Sequence, residues 1–471
     1  MKRYLSLAIT IVMIAVLAFV LSETTFVSVD RLMRPPKIEG QSSEIQAAFE
    51  ASVNDKYILR SPLSGEYKSS YISVNLDKDK DEEAIVFYSL SVTPDVARMN
   101  IIDSVDGNRK SIADLDSAHK QIHKVDFADL DKDGKKEIIV GWSIFETELS
   151  NTLSIYRLKE DKDALSTEKI FESNYTEYIV CDVNSDNKTD LVLFDSVYGS
   201  NNGVKAVYYD FKSETVRTAG EFMIDPVITS VYSVCFDKDK TNGNTRFYVD
   251  GYRPDNSMTT ELFYWHKAEK RFERPHYGDS AFLTSAATRS TAITCKDIND
   301  DGVVEIPFEE HIKESRLITA NSANRQQSII KWMKYGNNTY KCLYYELINL
   351  AGNYSLKIKN SWYGVFTVIN DTEKGVLTFY SAGGQYSDAF ADNDREDGSF
   401  AFSINERERP YESSDALFCI ISVPDSDTSF YDLSGSKYLK NDNGFNYFCR
   451  IYEAGKKSGI TKDSIKKILI T

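Results

Sequence analysis

Residues 129–137 read Asp-Leu-Asp-Lys-Asp-Gly-Lys-Lys-Glu, entered from the strand-like stretch Val125 to Leu130 and left through Ile138-Ile139-Val140. A hard divalent cation needs several oxygens converging at about 2.3–2.6 Å, and alternate residues of a tight loop point inward to supply them. Positions 1, 3, 5 and 9 here are Asp129, Asp131, Asp133 and Glu137, with the Lys135 carbonyl at position 7 and Gly134 at the sharp turn of position 6. A protein rich in oxygen ligands on a flexible loop favours calcium over magnesium.

The loop recurs. NLDKDKDEE starts at Asn75, DVNSDNKTD at Asp182, DKDKTNGNT at Asp237 and DINDDGVVE at Asp297, so the five first positions are 54, 53, 55 and 60 residues apart. The third copy offers Asp182, Asn184, Asp186, Lys188 (carbonyl) and Asp190; the fifth offers Asp297, Asn299, Asp301, Val303 (carbonyl) and Glu305. Asn187 and Gly302 fill their turn positions, as a left-handed backbone requires. The first copy supplies Asn75, Asp77, Asp79, Asp81 (carbonyl) and Glu83, but Lys80 at the turn predicts about 1 kcal/mol of strain and a weaker site. In the fourth, only Asp237 and Asp239 remain, with Thr241 and Thr245 in the other slots, which predicts an empty loop.

A fixed period above about 40 residues, with several short strands per unit, is the signature of propeller blades. The second unit shows them: Val125 to Leu130, Ile138 to Phe145, Thr152 to Leu158 and a strand near Glu168 to Phe171. The expected fold is therefore mainly β: a β-propeller over 61–345, of five blades with seven as the alternative. Residues 346–471 read as a C-terminal α+β domain. It is a meander through Tyr354 to Ile358, Trp362 to Val368 and Val376 to Tyr380, then strands Ala416 to Val423 and Asn446 to Glu453. A final helix, Lys462 to Leu469, is capped by Thr461.

The chain opens Met1-Lys2-Arg3-Tyr4 and continues with an apolar run from Leu5 to Leu21. Residues 1–22 are an export signal or a signal anchor, and the preceding positive charges put the rest outside the cytoplasm, secreted or held to the cell membrane by this segment alone. Residues 23–60 form a linker with a short amphipathic helix near Ser42 to Glu50. Formal charge is −15, from 56 basic and 71 acidic residues, which excludes nucleic-acid phosphate as a partner and favours cations. The six cysteines lack zinc spacing. Cys181 and Cys295 read as core, and Cys419 and Cys449 as neighbours on adjacent strands that a disulfide could join.

On these loops, the region from about 70 to 310 resembles the FG-GAP and VCBS repeats of integrin α-subunit propellers and bacterial surface proteins. The whole layout resembles exported VCBS-repeat proteins of Gram-positive, clostridia-like bacteria, in which an Arg-Pro-Pro segment such as Arg34-Pro35-Pro36 follows the export signal. The resemblance implies that each loop joins the first two strands of a blade and that the residues named above are calcium ligands. It implies no activity.

No HExxH, GxSxG, Walker loop or GxGxxG is present. His119 and His123 read as a surface connection, Glu309-Glu310-His311 as strand residues facing alternate ways, Asp392, Asp394 and Glu396 as a solvated loop, and Trp265, Trp332 and Trp362 as core. The functional expectation is a non-enzymatic cell-surface binding or scaffold protein whose partner is a surface protein or glycan. The alternative is a carbohydrate-active or phosphodiester-cleaving enzyme with its site on a propeller face or at the domain junction.

Overall fold

The structure, a computed structural model, describes residues 41–105, 107–143, 151–161, 164–197, 203–212, 215–275, 283–319, 322–382, 416–426 and 431–471. The apolar run Leu5 to Leu21, the Arg-Pro-Pro stretch and Asp392, Asp394 and Glu396 lie outside them. The fold is mainly β, in several antiparallel sheets. Among the described residues, no helix is long and apolar enough to cross a membrane.

Apolar runs such as Ala84 to Tyr88, Ile138 to Val140 and Leu191 to Phe194 each become the second of four successive antiparallel strands. These strands are buried almost end to end, as sheets covered on both faces require. The last strands, Asn108–Asp116 and Thr215–Met223, alternate towards solvent instead. The first sheet holds Tyr71–Val74, Glu83–Leu90, Thr93–Val105 and Asn108–Asp116, with Tyr57–Leu59 added beside the second of these. The second holds Gln121–Ala128, Glu137–Ser143, Asn151–Asp161 and Ala164–Tyr175. The third holds Glu177–Cys181, Asp190–Val197, Gly203–Lys212 and Thr215–Met223, and the fourth Ser230–Lys238, Thr245–Tyr252, Met258–His266 and Arg271–Glu273.

The fifth sheet runs Glu305–His311, Ser328–Gly336, Thr339–Asn349, Tyr354–Ile358 and, last, Leu469–Ile470. The strand Thr339–Asn349 thus crosses the division read from the sequence at 345/346, because Leu347 pairs with Leu356 and carries the fifth sheet's core onward. The expected meander divides between two sheets: the buried Trp362 closes a 3-10 turn after Ile358, and Phe366–Asp371 begins again in the sixth. That sheet orders its strands Ser322–Arg325, Arg316–Thr319, Phe366–Asp371, Val376–Ser381, Ala416–Pro424, Phe445–Ile451 and Lys437–Asp442. A hairpin inserted within the fifth sheet's sequence contributes its edge, through a parallel pairing of Arg316 with Ile369.

Contacts divide the chain into two units, 1–122 with 159–167, and 123–158 with 168–471. In the first, the helix Gln41–Ser52 sets Phe49 edge-on against Tyr57, Tyr71 and Tyr88, with ring centroids 4.9, 6.1 and 5.0 Å away. In the second, successive sheets pack face to face. Ile139 and Ile155 of the second meet Leu191 and Leu193 of the third. Phe194 and Tyr208 of the third meet Phe263 and Trp265 of the fourth. Tyr248 and Leu262 meet Ile306, and Leu347 and Leu356 meet Phe379 and Phe418. Each interface is an apolar area removed from water on both sides, at about 25 cal/mol per Å².

The C-terminal helix forms over Lys462–Ile468, with Thr461 and Ser464 exchanging both bonds of a capping box and Ile465 and Ile468 buried. Leu469, expected in the helix, instead leaves it to pair with Leu356. The preceding helix, Glu453–Lys457, lies so close to the sixth sheet that a Cβ at Gly455 would stand 2.0 Å from the Leu417 carbonyl oxygen. Gly455→Ala is therefore expected to destabilise the chain by about 1–3 kcal/mol in urea unfolding, an overpacking cost; an unchanged midpoint would show that the helix can shift away.

Candidate metal loops

All five acidic loops occupy the connection between a sheet's first strand and its buried second strand; in the fifth, the first strand is reduced to the bridge between Lys296 and Glu305. Side-chain oxygens are turned inward by the loop's own backbone. Position 3 accepts from the position 5 N–H in the first three copies and the fifth, at Asp77, Asp131, Asn184 and Asn299. Position 5 accepts in turn from position 7, so Asp81, Lys135, Lys188 and Val303 are anchored by N–H bonds of 2.7, 2.7, 2.9 and 2.9 Å. Position 1 accepts from the turn: Gly134 to Asp129, Asn187 to Asp182 and Gly302 to Asp297.

The turn has two left-handed sites, of which the sequence showed one. Gly134, Asn187 and Gly302 are left-handed at position 6, as expected. Position 4 is left-handed in four loops, at Lys78, Lys132, Ser185 and Asp300, with φ of 70°, 66°, 57° and 55°. Lys80 is not left-handed. The strain expected there is absent, because the first loop substitutes a bond from Asn75 Nδ2 to the Asp79 carbonyl and one from Lys78 N–H to Asn75 Oδ1.

Position 9 begins the buried strand, so its carboxylate is carried out of water. Glu83, Glu137, Asp190 and Glu305 are all 0% exposed. One oxygen of each accepts the position 2 N–H, from Leu76, Leu130, Val183 and Ile298 at 2.6, 2.8, 3.2 and 3.1 Å. The other oxygen of Glu83, Asp190 and Glu305 makes no hydrogen bond of normal geometry, although the Asp103 carboxyl stands beside Glu83 and the Tyr208 hydroxyl beside Asp190; in the second loop the bare oxygen is Asp129 Oδ1. Burial pushes the carboxyls of Asp190 and Glu305 each up to about 7. The same burial raises Glu83, beside the likewise buried Asp103, and Glu137. Oxygens of Asp77, Asp79 and Glu83, and of Asp129, Asp131 and Glu137, lie within 4.8 Å of one another. In the third and fifth loops an amide, Asn184 or Asn299, takes the place of the second carboxylate. The donor set is all oxygen and anionic, which fits a hard divalent cation, although Lys238 already reaches Asp182 at 3.0 Å and Lys334 reaches Asp301 at 2.6 Å.

Two arginines change the ranking of the loops. In the fourth, the buried Arg246 forks onto both oxygens of Asp237 at 2.6 and 2.7 Å and lies 3.6 Å from Asp239, while the Tyr248 hydroxyl and the Val304 N–H also donate to Asp237. A guanidinium thus supplies the charge that a metal would bring. The signal was in the sequence, as an arginine directly after a ninth position that had lost its carboxylate. In the second loop Arg157 reaches Asp131 at 2.8 Å and Glu137 at 2.9 Å, from a strand twenty residues downstream of Glu137. No local pattern announces it.

The other sequence candidates resolve individually. His123 is buried, its Nδ1 2.7 Å from the Tyr175 hydroxyl, and so is not a surface residue: the strand Gln121–Ala128 carries it inward. Glu309 bonds Ser290, Glu310 bonds Tyr363 and Lys331, and His311 bonds Ser328, so these neighbours are separated. Trp265, Trp332 and Trp362 are core, as are Cys181 and Cys295. Cys419 and Cys449 do lie on adjacent strands. The partner of Cys449 is Ile420, however, and this one-residue offset sends the two thiols to opposite faces, which rules out the disulfide.

No protein-family model matches the chain, and no curated protein matches it. Among solved structures, the Bacillus licheniformis rhamnogalacturonan lyase PL11 is 14% identical over 45% of this chain and 47% of its own, with a TM-score of 0.27. A hypothetical selenium-binding protein from Sulfolobus tokodaii is 13% identical over 45% of this chain and 55% of its own, with a TM-score of 0.28. The chain spans about half the length of each, and likeness at this level assigns no function.

The raised carboxyls give the cation-free protein a pH signature. An acid whose folded pKa lies above its unfolded value of about 4 binds more protons when folded, so stability falls as pH rises from about 4 to about 7. In chelator, urea unfolding between pH 5 and 8 should show this decline, and millimolar calcium should flatten it; identical slopes in both media would contradict the site. Arg246→Met leaves Asp237 buried without its partner and should cost about 3–5 kcal/mol whether or not calcium is present. A loss below about 1 kcal/mol would show that the pair does not stabilise the loop.

Proposed function

We propose that this chain is an exported, calcium-binding β-propeller that serves as a rigid cell-surface platform for a protein or glycan partner. The carrying observation is the bare, fully buried oxygen on the ninth-position carboxylates of the first, third and fifth loops. A carboxylate of that kind is costly unless a cation completes it. The reading is supported by the recurrence of the loop at one topological place in successive four-stranded sheets, and by their face-to-face packing within the second unit. The five loop-bearing sheets are read as blades and the sixth as an appended element. The apolar run Leu5 to Leu21 behind Lys2 and Arg3 supports reading the platform as exported, to where calcium is available. A scaffold role agrees with acidic loops whose side chains are committed to their own backbone rather than to a cleft.

Metal analysis of the purified full chain is expected to find about four calcium ions, one for each loop other than the fourth. Each should add about 2.7 kcal/mol of stability at a hundredfold excess over its dissociation constant. Glu305→Gln should remove one ion and leave the rest. No calcium in the protein, together with a melting temperature indifferent to EDTA, would overturn the proposal.

A further inference from the structure

Outside the loops, a cavity of about 380 Å³ opens on the sixth sheet, on the face opposite its packed core. The alternation of the strands makes it. Leu377 and Phe379 point into the core, while Val376, Thr378 and Tyr380 are left half-buried on the other side, as Arg450 is beside the buried Tyr447 and Cys449. Cys419 and Ile421 form its floor. Its volume falls in the range of small-molecule sites.

The walls are of two kinds. Tyr380, Tyr431 and Tyr452 are half-buried rings, each an apolar face with a polar tip. The rim carries two matched ion pairs, Asp371 with Lys374 at 2.8 Å and Asp432 with Arg450 at 3.2 Å. Two cations against two carboxylates leave no net charge, which disfavours a phosphate or a basic peptide. Arg450 adds a further feature: its Nε is buried and meets no acceptor, although Nη2 bonds both the carbonyl and the carboxylate of Asp432. A buried donor without a partner is costly, and a ligand oxygen would satisfy it.

We infer that this cleft binds an uncharged saccharide of one or two sugar units. Aromatic faces accept the C–H surfaces of a sugar ring. Carboxylates take hydrogen bonds from its hydroxyls, and the adjacent cations donate to the same hydroxyl oxygens. A hydrocarbon would leave the rim unsatisfied, and an anion would meet two carboxylates. The inference goes beyond the calcium platform, since the residues lining the cleft need no metal.

The test is saturation-transfer NMR on the full chain in millimolar calcium, with cellobiose, maltose and N,N′-diacetylchitobiose as separate probes, repeated in EDTA to separate this site from the loops. At least one disaccharide should receive saturation. Loss of one ligand hydrogen bond in Arg450→Gln or Lys374→Ala should weaken its apparent affinity about fivefold or more. Lys374 is 77% exposed, so its variant keeps the fold if Arg450→Gln does not. Transfer to none of the three sugars in calcium, or transfer undiminished in every variant that retains the wild-type melting temperature, overturns the inference.

Discussion

The structure turns on one conflict: a carboxylate stands at the first residue of a strand that must be buried. Glu83, Glu137, Asp190 and Glu305 each open a strand whose first residues are buried. Their removal from water would favour the neutral acid unless charge is supplied. The loop upstream answers half of this with a backbone N–H from position 2. The remaining oxygen is where loop and sheet meet with charge still to be answered. It also explains why the loop is placed where it is, since only the entry to the central strand couples a tight turn to the core.

The fourth repeat shows the same conflict resolved differently. Its ninth position is Thr245, and Arg246 in the next place neutralises Asp237 from within the chain. The network spreads to both sides: Thr245 donates to the Asp182 carbonyl in the third loop, and Val304 of the fifth donates to Asp237. A bidentate guanidinium has fixed geometry and cannot be removed by a chelator, so this loop holds its neighbours in register independently of metal. Variation among the loops is therefore one of degree: a buried guanidinium pairs with Asp237 in the fourth, and Arg157 meets part of the charge in the second.

Much of this was legible in the sequence because it is local. Loop spacing, alternation and capping residues act over a few positions, which is why the strands of the second sheet, the Thr461 cap and the positions of Asp129 to Glu137 could be read directly. What was missed depends on distant partners. Arg157 reaches the second loop from another strand, and His123 is drawn inward by its strand and met by Tyr175. Leu469 abandons its helix for Leu356, and the Cys419–Cys449 offset is set by register alone. The change in local pattern near residue 345 is likewise bridged by a distant partner, in the pairing of Leu347 with Leu356.

The bare oxygen of the ninth position can be observed directly. A crystal structure of the full chain grown in calcium, with anomalous data, should place a scatterer about 2.3–2.6 Å from the unpaired oxygens of Glu83, Asp190 and Glu305. The fourth loop should show none, with Arg246 still forked on Asp237. Loops without a scatterer, their buried carboxyls protonated or bonded only to water, would contradict the account.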